Sequence, residues 1–261
     1  MNKNIAWLIG FTVSDGSLSG AMVRVWNNEM TLIQRWKKLL VKEFNVNDKN
    51  IKISEEEPRK GAYKRNKTIY RAQVNSTEIN RRILQEWKRI LKTKDKAVIK
   101  STVQSIFDAE ASVDLHGSII IWLKKNDKGL VMYNFIKNAL KLLMIEYSET
   151  VNKDFCILTV IGSESKRENI VKFAENIGFT SKRKSAELQV TLEMLGNKRK
   201  PTEKDIVTFA RKHNSFTIRD LIFHFKTRRY ILHRIINRLL KKGILEKEGT
   251  YKSRLYSVLN S

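Results

Sequence analysis

The sequence predicts an α+β fold in which one αββαββα unit is used twice and a small helical module follows. Three observations predict it. Two short segments, Leu8 to Gly16 (LIGFTVSDG) and Val103 to Ala111 (VQSIFDAEA), read as the same device: an apolar helix with small residues four apart, Gly10 and Ser14 in one, Ser105 and Ala109 in the other, ending in a carboxylate. The same order of helices and strands follows each segment. The chain beyond residue 200 is shorter-stepped, helical and basic, and does not belong to the repeat.

The elements follow in order. Residues 4–14 make the first helix, and 21–26 alternate as a strand with Val23 and Val25 on one face. Apolar residues at Leu32, Ile33, Trp36, Leu39, Leu40 and Phe44 give 31–44 the spacing of a core-facing helix. Strands at 51–53 and 69–75 and a helix at 79–91 complete the unit. After the charged linker 92–96 the order returns: helix 98–111, strand 119–122, helix 129–143, strands 147–152 and 155–161, helix 166–177. Val25-Trp26 and Ile121-Trp122 stand at matching strand ends, each just before a helix, which sets the two halves in one register. The domains expected are 1–95, 96–196 and 201–261.

Charge narrows the partners. With 51 Lys and Arg against 27 Asp and Glu, the net charge is +24, and 41 % hydrophobic residues place that charge on folded domains rather than on a disordered tail. Such an excess calls for a polyanion. The Lys and Arg residues are spread along the chain, no stretch approaches the length of a membrane span, and no signal-peptide layout opens it, so an intracellular protein, cytoplasmic or organellar, is expected. Cys156 is the one cysteine, which rules out an internal disulfide, and its apolar neighbours mark it as a small buried hydrophobe.

If the two small-residue stripes pack together, Asp15 and Glu110 emerge side by side. Two acids so placed repel unless cations sit between them, which in a basic chain points to metal-dependent cutting of nucleic acid. An acid at one helix end is by itself an ordinary cap or solvated charge. Two at matching ends of a repeat are less ordinary.

The paired segments and the repeated order after them resemble the LAGLIDADG homing endonucleases over the first ~195 residues. Ser14, Ser105 and Ala111 stand where that family usually has Ala, Gly and Gly, and Glu110 where it has Asp. The resemblance implies two halves forming a pseudo-twofold, saddle-shaped sheet on double-stranded DNA, with a long asymmetric target cut by a monomer. It implies Asp15 and Glu110 as ligands of Mg²⁺, with Mn²⁺ substituting and Ca²⁺ supporting binding without cleavage, and Asn27 and Lys124 (Lys125 close behind) as assisting strand-end residues. Asp108 falls at a structural position. Among the strands, 69–75 puts Arg71, Gln73 and Asn75 on one face, where Arg suits guanine and Gln or Asn suits adenine. Arg24, Trp26, Trp122 and Lys125 are expected to face DNA as well, and Arg59, Lys60, Lys64 and Arg65 to follow phosphates.

Beyond the basic linker 197–201, helices at 203–212, 217–225 and 228–242 followed by a hairpin at 244–256 resemble a winged helix-turn-helix. That resemblance implies Arg228, Arg229 and Arg234 toward a major groove and Lys252 and Arg254 on phosphate. The alternatives to a nuclease are a non-cleaving DNA-binding regulator of the same fold and an intron RNA maturase.

Overall fold

The computed structural model describes residues 1–56, 68–114, 117–197, 200–249 and 254–259. It is an α+β structure with antiparallel sheets. The chain begins with α1 (Lys3–Asp15), β1 (Gly16–Ser19), β2 (Met22–Asn27) and α2 (Met30–Phe44), then β3 (Lys52–Glu56), β4 (Ile69–Asn75) and α3 (Thr77–Ile90). It continues with α4 (Lys96–Glu110), β5 (Ala111–Val113), β6 (Ile119–Lys124), α5 (Asp127–Leu142), β7 (Tyr147–Val151), β8 (Phe155–Val160) and α6 (Arg167–Asn176). The remainder is α7 (Lys182–Gly196), α8 (Glu203–Lys212), α9 (Ile218–Phe225), α10 (Arg229–Lys241), β9 (Leu245–Glu248) and β10 (Leu255–Val258). The two four-stranded sheets run β1-β2-β4-β3 and β5-β6-β8-β7, so the strands come in the same relative order in each.

Two elements missing from the sequence reading are the short leading strands β1 and β5, and a third is α7. Glu110 closes α4 and Ala111 already belongs to β5, so the expected helix 98–111 ends one residue earlier.

By contacts the chain divides into two compact units. One comprises Met1–Ser112, Ile120–Val160 and Lys172–Ser185; the other comprises Val113–Ile119, Ile161–Val171 and Ala186–Ser261. In the first, α1 is buried all along Ala6 to Ser14, as its apolar composition requires. Asn2 caps it by accepting from the Ile5 amide, and Asp95 caps α4 by accepting from Ala97 and Val98. Helices α1 and α4 touch backbone to backbone. A Cβ placed on Gly10 would lie 2.2 Å from the Ser105 hydroxyl and 2.7 Å from the Thr102 carbonyl oxygen, so only glycine fits there. Gly16 is equally confined, at 2.1 Å from the Thr12 carbonyl and 2.8 Å from that of Arg24, which lets the chain turn from α1 straight into β1. Trp36 closes the packing from α2, its indole donating to the Thr12 hydroxyl at 2.8 Å.

The second unit has its own core. Ile206, Phe209, Leu221, Ile222, Leu232, Ile235, Ile236 and Leu239 from α8 to α10 gather with Val190 and Met194 of α7. Matched capping boxes start α8 at Thr202–Asp205 and α9 at Thr217–Asp220. A bridge from Phe216 to Tyr256 ties the β9–β10 hairpin to the loop between α8 and α9. The core therefore begins inside α7, upstream of the basic linker expected to bound it. No helix among the described residues is long and apolar enough to cross a membrane.

Candidate metal and nucleic-acid site

Because α1 and α4 touch at Gly10 and Ser105 and run the same way, their last residues, Asp15 and Glu110, come to one place. Burial pushes the Glu110 carboxyl up to about 7, and the negative charge of Asp15 adds to the rise. Asn27, at the end of β2, donates its amide hydrogen to Asp15 and accepts from the Glu29 backbone, which fixes the carboxylate's orientation.

Two lysines that sequence reasoning missed complete the site. Lys128, in the first turn of α5, donates to the carbonyl oxygens of Ser14 (3.2 Å) and Gly16 (3.0 Å), where α1 ends. Lys184 of α7, only 4 % exposed, donates to the carbonyls of Phe107 (3.0 Å), Asp108 and Ala109 (3.4 Å), where α4 ends. Each ammonium thus sits at the negative end of a helix dipole. Burial pulls both lysines below the usual ammonium range, Lys184 to about 8, while the neighbouring carboxylates pull them back up. No sequence signal marks these lysines, because each reaches a helix end far away in the chain.

Asp108 plays the structural part expected of it. It is buried and accepts from the Trp7 indole (3.2 Å), the Thr180 and Ser181 amides (2.9 and 3.0 Å) and the Thr180 hydroxyl, which together offset the cost of its burial.

The first sheet presents one polar face. Val23, Val25, Ala72 and Val74 are buried, so Arg24, Trp26, Arg71 and Gln73 point the other way. Pairing sets Arg24 opposite Gln73 and Trp26 opposite Arg71, with Lys52 and Ser54 alongside from β3. Asn75 is exposed at the strand end, and Arg71 is held by Glu56 at 2.8 Å. On β6, Trp122 is 48 % exposed and meets Phe155 edge-on, and Lys124 is exposed beside it. The Lys124 side chain has no hydrogen bond or ion pair among the described residues. Lys125 lies just past the strand, its backbone bonded to Asp154. On β8, Cys156, Leu158 and Val160 are buried and Ile157 and Thr159 turn outward. Arg59, Lys60, Lys64, Arg65 and Lys252 lie outside the described residues.

In the second unit Arg234 is exposed on α10, Arg229 donates to His233 at 3.1 Å, and Arg254 is partly buried. Arg228 precedes α10 and pairs with Glu164 at 3.1 Å. This ion pair to an exposed glutamate sits beside the groove-facing role the sequence suggested for Arg228.

The donors at the ends of α1 and α4 suit a hard cation. No group of three or more His, Cys, Asp or Glu able to hold a metal occurs among the described residues, so the protein offers two carboxylates and peptide oxygens. Mg²⁺ is commonly held by as few carboxylates, with water and phosphate oxygens filling its shell. The peptide oxygens of Ser14, Gly16 and Ala109 already accept from ammonium groups, which shows that they are turned toward positive charge.

No family model matches the chain, and no curated protein matches it in sequence. Solved structures do. I-DmoI in complex with DNA and Mn matches with a TM-score of 0.52 and 17 % identity over 67 % of this chain and 96 % of that one. The fold is similar to that of I-DmoI. The complex of I-DmoI with DNA and Ca gives 0.52 and 18 % over 72 % and 97 %, and a further structure describes I-DmoI as a homing endonuclease. Full-length DUF199/WhiA from Thermatoga maritima aligns over 92 % of this chain and 90 % of its own at 14 % identity, with a TM-score of 0.45. At these identities the likeness to I-DmoI is one of fold.

Proposed function

We propose that the protein is a site-specific, metal-dependent endonuclease of double-stranded DNA. The observation that carries the reading is the convergence of Asp15 and Glu110, two repelling carboxylates at matching helix ends. The I-DmoI structures solved with DNA and with Mn or Ca support it by likeness of fold. The repeated strand order supports a duplicated pair of halves, 1–95 and 96–196, and both carboxylates come from one chain, as a monomer acting on an asymmetric target requires.

Asp15 and Glu110 would hold Mg²⁺, with Mn²⁺ as a substitute and Ca²⁺ supporting binding alone. When bound, the metal supplies Lewis-acid polarisation of the scissile phosphate and a more acidic water. The chain's own groups do the rest. Asn27 orients Asp15 through its amide, Lys128 and Lys184 offset negative charge gathered at the two helix ends, and Lys124, free at the end of β6, reaches toward phosphate. Arg24, Arg71, Gln73 and Asn75 would read base edges from the first sheet, with Trp26, Trp122 and Lys125 along the same surface. The three helices and hairpin of residues 201–261 would serve as a winged helix-turn-helix, with Arg229 and Arg234 toward DNA and Lys252 and Arg254 toward phosphate.

One observation favours a second reading, a DNA-binding regulator that does not cut. Lys128 already gives the acid pair a built-in counter-charge. Incubating purified protein with a randomised duplex library and Mg²⁺, beside Asp15→Asn and with Ca²⁺ as a binding control, separates the two. Discrete double-strand cuts that vanish in the variant establish the nuclease; enrichment by binding with no cut under any divalent metal overturns it in favour of the regulator.

A further inference from the structure

At the other end of the α1–α4 pair, about 18 Å from the carboxylates by the rise of a 13-residue helix, lies a cleft of about 620 Å³. Lys3 comes from the first turn of α1, Lys96 and Lys100 from the first turns of α4, and Arg35 from α2, with Glu175 and Asn176 at the end of α6. Four cations face one acid. Elsewhere in this unit some cations have carboxylate partners, Lys37 with Asp48, Arg71 with Glu56, Lys137 with Glu149 and Arg183 with Glu29, and others, such as Lys124, have none. What sets the cleft apart is that four cations without an ion pair among the described residues line one concave space. Lys100 finds only the neutral amide oxygen of Asn176, at 2.6 Å, and the Arg35 guanidinium sits over the Trp7 ring, its central carbon 4.3 Å from the ring centre.

Lys3, Lys96 and Lys100 have no carboxylate partner and Arg35 feels the charge of Asp108, so the cleft carries a net positive charge that would draw an anion. The N-terminal ends of α1 and α4 add their positive dipole ends on the same side. Asn2 and Asp95 already occupy amides of those two ends, so the side chains rather than the helix termini would do the holding. A guanidinium can take two phosphate oxygens at once, and ammonium groups lining the same cleft suit a neighbouring phosphate. No aromatic ring lines the cleft among the described residues, so it offers nothing on which a base could stack. The volume suits a few linked phosphates rather than the broad face of a duplex.

We propose that this cleft is an oligophosphate-binding site, separate from the Asp15–Glu110 site, that takes consecutive phosphates of a single nucleic-acid strand or a free polyphosphate by charge and without reading bases. It does not depend on the nuclease reading. It would let the protein hold a second polyanion while its sheets face a duplex.

Lysine acetylation footprinting of the full chain tests it, because Lys3 and Lys96 are exposed and each lysine is read separately by mass spectrometry. Tripolyphosphate in one arm and a short single-stranded oligonucleotide in the other should slow acetylation of Lys3, Lys96 and Lys100 by about fivefold, with exposed Lys38 and Lys88 changing less than about twofold. Protection by tripolyphosphate alone assigns a free polyphosphate, and protection by the oligonucleotide assigns a strand. The Lys96→Glu, Lys100→Glu double variant should lose that protection at Lys3 and bind tripolyphosphate about tenfold more weakly, with its fold checked by thermal melting. Should that variant not fold, Lys3→Ala serves in its place. Equal protection of cleft and control lysines, or no protection in either arm, overturns the proposal whatever the cleavage assay shows.

Discussion

Replacing Glu110 with Gln should stabilise the protein, and the gain should depend on pH in a defined way. In the folded chain this carboxyl keeps its proton up to about 7, against 4.5 when unfolded. The folded state therefore binds more protons than the unfolded state between those values, and wild-type stability falls as pH rises through that window. A difference of 2.5 units at about 1.36 kcal/mol each gives a ceiling of about 3 kcal/mol, reached above pH 7. Water reaching the half-buried side chain brings the expectation to about 2 kcal/mol. Glutamine has the shape of the protonated acid and no charge, so Glu110→Gln should match the wild type near pH 4 and exceed it by that amount near pH 8. Urea denaturation at half-unit pH steps measures the difference directly. Added Mg²⁺ should recover stability in the wild type and not in the variant, because a ligand that binds only the folded state stabilises it. A stability difference that stays flat from pH 4 to 8 would refute the reasoning, since it would mean that Asp15 and burial impose no charge penalty on Glu110.

Other outcomes follow from the same geometry. Gly10→Ala should cost about 2–3 kcal/mol, because its new methyl group meets the Thr102 backbone, which cannot step aside as a side chain would; a thermal melt within a degree of wild type would refute the contact. Trp36→Phe should cost at least about 1 kcal/mol by depriving the buried Thr12 hydroxyl oxygen of its indole donor, while its own hydrogen still goes to the Leu8 carbonyl, read by denaturant midpoint. Arg234→Glu should weaken DNA binding and lower the slope of log affinity against log salt by about 1, and an unchanged slope would remove α10 from the DNA interface. Asp15→Asn should abolish cutting while leaving DNA affinity within about tenfold, measured by gel shift in Ca²⁺.

What the sequence made legible here was whatever repeats or alternates. Helices α1 and α4 announce themselves through small residues four apart and a terminal acid, and β4 through alternation of Arg71, Gln73 and Asn75 with Ala72 and Val74. Cys156 takes the buried place expected of it, and Asp108, expected at a structural position, is buried near the end of α4. Strands β1 and β5 escaped because four- and three-residue strands carry too few positions to show a period. Helix α7 escaped because its polar and apolar residues alternate with little sidedness; Lys184 and Glu187 are themselves buried. Lys128 and Lys184 were beyond reach for a different reason. Their partners are peptide oxygens, which every residue has, so nothing in the spelling of the chain distinguishes a helix end that will meet a lysine from one that will meet water.

The close seating of α1 on α4 also bears on how the chain is made. Helix α1 is buried on every side from Ala6 to Ser14, yet the residues that cover one of its faces, Thr102 and Ser105, and the clasp from Asp108 to Trp7, lie about a hundred positions downstream. On a ribosome adding about 5–20 residues per second, that face waits several seconds for its cover. That face of α1 therefore stays uncovered until α4 has been made, and contacts of such long separation close slowly once both helices exist. Yield on expression should then respond to translation speed and to chaperone supply more than to the stability of the finished protein.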